Sequence, residues 1–234
     1  MRDKISVIVP TLNEEKFIEK TLLALKDQTV PKHEYEVIVS DSSSSDSTVE
    51  IAKALADKVV VCERISAGYG RNFGAKHAKG SKLAFVDADT IVSPTYIEGV
   101  KEALDRGIAA TGPMRAYKTD RLKHRIFYRA WSGLTRFTIM IRYPLVPGLN
   151  IAVRKKVFDA EDGFRKDKVT TEDYEFCMRI KKHGGFVFSK KMLVHTSARR
   201  FEEIGYTPYI ANGINFLLFR KSWTWEKHRK DYSK

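Results

Sequence analysis

The sequence is poor in the residues that mark several common classes of protein. It has 2 cysteines in 234 residues, and Cys62 and Cys177 stand too far apart to form a metal-thiolate or redox motif. Isolated thiols indicate a reducing compartment, so cytoplasm is the expected location. Met1 leads directly into a strand-like run with no secretory pattern. No apolar run reaches the roughly 18 residues that a membrane-spanning helix needs. The longest uncharged run, Ile204 to Phe219, is broken by Pro208, Asn212 and Gly213, which leaves a soluble or peripheral protein as the expectation. No Gly-x-Gly-x-x-Gly follows the first strand and no Walker lysine motif is present, which argues against a dinucleotide oxidoreductase and a P-loop enzyme. Helix-turn-helix, zinc-module and RNA-binding aromatic signatures are also missing, so nucleic acid is not an expected partner.

Charge is plentiful but unevenly placed. The net charge is +13, yet residues 1–113 hold 15 basic and 17 acidic side chains. The excess lies in residues 114–156, with 11 basic and 1 acidic, and in residues 181–234, with 12 and 4. A balanced first half suits a carboxylate-based metal site. The basic blocks face either water or an anionic partner such as lipid phosphate or a membrane surface.

In chain order, Ile5 to Val9 reads as a buried strand, broken by Pro10-Thr11-Leu12-Asn13 before a helix with Phe17, Ile18, Leu22 and Leu25 on one stripe. Tyr35 to Val39 is a second strand, and the serine-rich run from Ser40 to Thr48 separates it from a helix marked by Val49, Ala52 and Leu55. Hydroxyls and carboxylates in such a turn cap helix donors or meet a ligand. A third strand covers Val59 to Cys62, and a glycine-rich stretch around Arg71 and Asn72 follows. Leu83 to Val86 then delivers Asp87-Ala88-Asp89 to the carboxyl end of a buried strand, just before the Ser93-Pro94 helix start. With 14 aspartates in the chain, the Asp-x-Asp spacing alone is uninformative. Its place at a strand-to-helix turn is what marks it, because hard divalent cations take carboxylate oxygens.

The ordered set of segments resembles the family 2 glycosyltransferases, enzymes of the GT-A fold that move a sugar from a nucleotide diphosphate. The resemblance rests on Val7-Ile-Val-Pro-Thr-Leu-Asn-Glu-Glu15, Val39-Ser-Asp-Ser-Ser-Ser-Ser-Asp-Ser-Thr48, Gly70-Arg-Asn-Phe-Gly74, Phe85-Val-Asp-Ala-Asp89, Pro147-Gly-Leu-Asn150, Gly163-Phe164 and Thr171-Glu-Asp173. Ser42 and Ser43 stand where the family has an aspartate and a glycine. The resemblance implies an α/β fold: a Rossmann-like, mostly parallel sheet flanked by helices, with acceptor-side elements and a C-terminal amphipathic extension. The expected division is a glycosyltransferase domain over residues 1–200, in a nucleotide-binding half to about 113 and an acceptor half beyond it, followed by a basic extension over 201–234.

The resemblance also implies roles. Pro10, Thr11, Asn13, Glu14, Asp41, Arg71, Asp87 and Ala88 would contact the nucleotide, and Asp87 and Asp89 would hold Mg²⁺ or Mn²⁺. His195, read as the end of a strand from Phe186 to Val194, would be a late third metal ligand. Asp173 would be the general base of an inverting transfer, with Glu172 orienting the donor sugar. The forked donors of Arg199 and Arg200 suit the diphosphate or an acceptor phosphate.

Two segments interleave arginines and lysines with aromatics: Lys123 to Leu149, and the tail with Trp223 and Trp225. The first is read as packing against the core or the acceptor cleft ahead of a lipid interface. Together they favour a polyprenyl phosphate or glycolipid acceptor, with a soluble glycan as the other case, and a peripheral position on the cytoplasmic membrane face. Two other readings remain open at this point. They are a different nucleotide-sugar enzyme, such as a nucleotidyltransferase, and a non-catalytic basic binding module.

Overall fold

The computed structural model describes residues 4–165 and 171–207, together with 210, 211 and 215. The chain starts with alternating strands and helices: β1 (Ile5–Thr11), α1 (Ile18–Lys26), β2 (Tyr35–Asp41), α2 (Thr48–Leu55), β3 (Lys58–Val61), α3 (Ala67–Lys76) and β4 (Lys82–Val86). It continues with β5 (Thr90–Val92), α4 (Tyr96–Arg106), β6 (Ala109–Thr111), β7 (Met114–Ala116) and α5 (Leu122–Met140). The remaining elements are β8 (Asn150–Arg154), α6 (Lys155–Ala160), α7 (Glu172–Ile180), β9 (Phe186–Phe188), β10 (Val194–Thr196) and α8 (Arg199–Ile204).

Seven strands form one sheet in the order β3-β2-β1-β4-β8-β6-β9, and only β8 runs against the rest. Strands β1, β2 and β4 are buried on both faces, which explains their continuous apolar runs. Side chains alternate across the sheet. Val7, Val9, Ala84 and Val86 join Leu22 and Leu25 of α1 and Val100 and Leu104 of α4 on one face. Ile8, Leu83, Phe85, Ile151 and Val153 meet Phe158, Phe164 and Phe176 on the other. On that face α3 runs close over β1, since a Cβ at Gly74 would lie 2.6 Å from Ile8 Cγ2.

A second sheet, β5-β10-β7, sits beyond the carboxyl end of β4. Its β10 is antiparallel to β5 and parallel to β7. The single strand expected from Phe186 to Val194 is therefore two strands in different sheets. The Met192 N–H donates to the Ser189 carbonyl at 3.2 Å, turning the chain between them. His195 lies in the middle of β10. β8 and β9, from beyond residue 113, complete the sheet begun by the earlier strands.

Helix α5 packs against the core through its aromatics, with Tyr128 buried and Phe127 and Trp131 partly buried against the same cluster. Its buried side chains are His124, Tyr128, Ser132, Thr135 and Thr138, whereas Leu122, Ile126, Leu134, Phe137 and Met140 are exposed. Small hydroxyl residues let the helix sit close to β7, where Ser132 Oγ accepts from Met114 N at 2.8 Å and donates to Met114 O at 3.0 Å. Among the described residues no helix is long and apolar enough to cross a membrane. The aromatic tail from Phe216 onward, with Trp223 and Trp225, lies outside the described residues.

Candidate active site

The carboxyl ends of β1, β2 and β4 open onto one edge of the sheet, the position where open α/β sheets bind ligands. Thr11 and Asp41 are paired across the ends of β1 and β2. Asp41 is fully buried; Oδ2 accepts from Thr11 Oγ1 at 2.9 Å and Ser44 Oγ at 2.6 Å, and Oδ1 accepts from Ser44 N at 2.8 Å. Its oxygens thus shape the serine turn. Asn13, in the left-handed region at φ 55°, locks the two turns together. Its N–H donates to Ser44 Oγ at 2.8 Å, and its Oδ1 accepts from Ser45 N at 2.9 Å. The Glu14 N–H donates to Thr48 Oγ1 at 2.8 Å. Pro10 occupies the penultimate place in β1 opposite Ser40. The serine-rich run is a structured loop bound to its neighbour.

Asp87-Ala88-Asp89 forms the turn from β4 to β5. Ala88 is buried, and its carbonyl accepts from Thr21 Oγ1 of α1 at 2.7 Å, which pins the turn. Asp87 and Asp89 remain partly open to solvent. Burial, ahead of the charge of Asp87, raises the Asp89 pKa, while Arg199 and Arg200 oppose the shift. The Arg199 guanidinium lies between two acids: Nη2 hydrogen-bonds Glu14 Oε1 and stands 3.3 Å from Asp89 Oδ2. Burial pushes Glu14 up to about 7 despite that bond, with Asp89 and Asp87 adding to the shift. The other Glu14 oxygen, Oε2, is buried without a hydrogen-bond partner. Arg200, in contrast, is exposed.

The buried Arg71 joins this turn to α7. Nη2 donates to Asp87 Oδ1 at 2.9 Å and Nη1 to Glu172 Oε1 at 2.8 Å. Burial opposes the Arg71 charge, but Asp87, Glu172 and Asp173 more than offset it and raise its pKa. Gly148 makes room for the guanidinium, since a Cβ there would fall 2.9 Å from Nη2. The Gly148 N–H also donates to Asp173 Oδ2 at 2.7 Å, and Asp173 Oδ1 accepts from Tyr174 N at 2.8 Å. Burial first, then the neighbouring Glu172 charge, pushes Asp173 up to about 7. Asn72 holds the Gly163-Phe164 turn from both sides: Nδ2 donates to Phe164 O at 2.7 Å, and Oδ1 accepts from Phe164 N at 2.8 Å. Gly163 is required there, with φ +67° and no space for a Cβ beside Asn72 Oδ1.

The structure thus brings Glu14, Arg71, Asp87, Asp89, Glu172, Asp173 and Arg199 together. It does not bring His195 with them. His195 faces a cleft with Arg115, Arg125 and Arg129, and burial and the Arg115 charge hold its pKa below the ordinary imidazole value. Among the described residues no group of three or more His, Cys, Asp or Glu is arranged to hold a metal ion. The Glu14–Arg199 contact and the supporting role of Gly148 were not legible as such in the sequence. Only the neighbouring motifs pointed to those segments.

A nucleotide-sugar type of sheet edge with an acidic turn and a separate carboxylate helix defines a GT-A glycosyltransferase architecture. The sequence profile of Glycosyl transferase family 2 matches residues 6–161, and the chain belongs to that family. Glycosyltransferase AglE of Haloferax volcanii is 35% identical over 215 residues, covering 86% of this chain and 69% of that protein. Poly(ribitol-phosphate) beta-N-acetylglucosaminyltransferase TarS of Staphylococcus aureus is 38% identical over 108 residues, which is 44% of this chain but 19% of TarS. The chain therefore matches about a fifth of the length of that relative. A Methanococcus voltae enzyme named dolichyl N-acetyl-alpha-D-glucosaminyl phosphate 3-beta-D-2,3-diacetamido-2,3-dideoxy-beta-D-glucuronosyltransferase is 24% identical, covering 94% of this chain and 75% of that protein. Among solved structures, mannosyltransferase PcManGT from Pyrobaculum calidifontis, described in complex with GDP-Man and Mn²⁺, superposes with a TM-score of 0.71 at 21% identity, covering 100% of this chain and 69% of that one. Family membership places the chain among the glycosyltransferases.

Proposed function

We propose that this protein is a metal-dependent, inverting glycosyltransferase that moves a sugar from a UDP or GDP donor to a hydroxyl of a lipid-linked acceptor at the cytoplasmic face of a membrane. The observation that carries the reading is the Arg71 fork, which fixes the Asp87 turn and the Glu172-Asp173 helix start as one unit. Donor handling and proton removal need separate carboxylates, and the fork ties the Asp87 turn to Glu172, the neighbour of Asp173, at the same sheet edge.

The residues fit a hard divalent cation. Asp87 and Asp89 present oxygen donors, the Glu14 Oε2 beside them is orphaned, and a guanidinium already serves as counter-charge to Asp89. Asp89, with Asp87, would hold Mg²⁺ or Mn²⁺, which when bound supplies charge neutralisation for the departing diphosphate. The Asn13–Ser44 and Asp41 turns shape the nucleotide loop, and Arg199 lies ready to offer donors to a diphosphate. Asp173 takes the proton from the acceptor hydroxyl. A carboxylate with a pKa near 7 is well matched to that role at neutral pH. Glu172, fixed by Arg71, orients the donor sugar.

The lipid-linked acceptor is supported by the exposed apolar side chains of α5, flanked by Arg125, Arg129 and Arg136, and by the dolichyl phosphate acceptor in the name of the Methanococcus relative. The ribitol-phosphate polymer in the TarS name makes a soluble glycan the second reading. A thermal-shift panel of UDP- and GDP-sugars, with Mn²⁺ or EDTA, tests the proposal. Stabilisation by one nucleotide class with Mn²⁺ and none with EDTA is expected. Equal stabilisation under both conditions contradicts metal dependence.

A further inference from the structure

Apart from the donor-side carboxylates, the described residues form a cleft of ≈ 300 Å³ lined by Arg115, Ala116, Arg125, Arg129, Leu193 and His195. Three secondary elements build it. β7 provides Arg115, α5 provides Arg125 and Arg129 one helical turn apart, and β10 provides His195, paired in register with Arg115. No carboxylate lines the cleft. Among the described residues none of its three arginines forms a salt bridge; Arg115 Nη1 donates only to the carbonyl of Met114, at 2.8 Å. Nearby arginines are treated differently: Arg121 lies 3.4 Å from Glu202, and Arg199 meets Glu14 and Asp89.

Like charges gathered in a partly desolvated cleft repel one another, and the repulsion is felt by the groups themselves. Burial and then the Arg129 charge depress the Arg115 pKa, and burial and then Arg115 depress that of His195. An anion would relieve that repulsion. The forked donors of several arginines suit the tetrahedral, many-oxygen surface of a phosphate. The cleft is also tied to the donor turn. Thr196, next to His195, meets Thr90 through their hydroxyls at 3.1 Å, and the Ser197 N–H donates to the Asp89 carbonyl at 3.3 Å.

We propose that the Arg115, Arg125, Arg129 and His195 cleft is an anchoring subsite for a phosphate group of the acceptor, separate from the donor diphosphate. This rests on the glycosyltransferase reading above. The phosphate is held by the cleft, while the reacting hydroxyl belongs to the adjoining part of the acceptor. Two kinds of molecule carry that chemistry: a prenyl-phosphate-linked sugar and a soluble polyol phosphate.

Calorimetry on the full chain tests the proposal with farnesyl phosphate, neutral farnesol and glycerol 3-phosphate as probes, and with GDP or UDP plus Mn²⁺ titrated in parallel. Arg125 and Arg129 are both exposed, so the R125Q/R129Q variant should melt like the parent. Farnesyl phosphate should bind the parent at least about tenfold tighter than farnesol, and the variant should lose at least about tenfold in affinity for it, because each charge-assisted bond exceeds the energy of a decade. Nucleotide binding should be unchanged in the variant. Comparable binding of glycerol 3-phosphate, lost in the same variant, supports the subsite and assigns it to a soluble phosphate. The proposal is overturned if no phosphate probe binds, or if parent and variant bind them equally. Absence of nucleotide binding in both proteins would instead count against the donor reading, leaving the cleft result separate.

Discussion

Asp87 and Glu172 share one guanidinium: Arg71 donates to the first at 2.9 Å and to the second at 2.8 Å while itself nearly excluded from water. Replacing it should therefore leave two carboxylates facing each other without a counter-charge. Arg71→Met is expected to destabilise the fold by about 3–5 kcal/mol, the usual cost of stripping one partner from a buried ionic cluster. Arg71→Lys keeps the charge but not the fork and should recover part of the stability and little of the activity. Urea denaturation of the two variants, alongside their turnover, checks both statements.

The partly buried hydrogen bond from Gly148 to Asp173, together with the Arg71 contact over the same glycine, makes residue 148 sensitive to a single methyl. In Gly148→Ala the new Cβ meets a guanidinium that two carboxylates prevent from moving. A loss of about 1–3 kcal/mol from overpacking is expected, with turnover falling further than stability alone explains. Parent-like turnover in this variant would show that the Arg71 guanidinium and Asp173 accommodate a methyl group at residue 148.

Asp173→Asn removes a proton acceptor without changing volume, so turnover should drop by roughly 10²–10⁴ while donor affinity stays near that of the parent. Single-turnover kinetics and donor titration separate the two effects. Near-normal turnover excludes Asp173 as the base.

The pH dependence has a defined sign. Asp173 and Glu14 both reach about 7 in the folded protein, from ordinary values of 3.8 and 4.5. The folded state therefore binds more protons than the unfolded one between about pH 4 and 7, and stability should fall as pH rises through that window. Activity should move the opposite way, because the base works only when deprotonated, giving kcat/KM an ascending limb with a midpoint near 7. Melting curves from pH 5 to 8 check the first statement, and Glu14→Gln should flatten them in part. The pH profile of the Glu14→Gln variant checks the second: its ascending limb should survive if Asp173 sets it.

Much of the sheet was legible because strands buried on both faces carry continuous apolar runs, as Val7 to Val9 and Leu83 to Val86 do. The acidic turn was legible for the same reason, since a buried strand fixes where its next residues emerge. Long-range contacts were not. Arg199 reaching Glu14 and Asp89, and Arg71 reaching Glu172, depend on how α8 and α7 return to the sheet, and no local pattern encodes that. The stretch from Phe186 to Val194 read as one strand because apolar residues stand at both ends of it, but Ser189-Lys190-Lys191 interrupts them and the turn there carries β10 into a second sheet. Helix α5 was legible in part: Phe127, Tyr128 and Trp131 pack against the core as aromatic residues do, while the close approach of Ser132 to β7 leaves Leu122, Ile126, Leu134, Phe137 and Met140 exposed.

The central claim is that Asp89 holds the cation that secures the donor diphosphate. Asp89 is partly exposed at a turn and adds little packing, so Asp89→Ala should remain folded. Titration calorimetry of GDP and UDP with Mn²⁺ into the parent and the variant tests the claim most directly. The account predicts metal-dependent nucleotide binding in the parent and its loss in Asp89→Ala, with matching circular dichroism spectra. Equal affinity of the folded variant for the nucleotide in the presence of Mn²⁺ would contradict it.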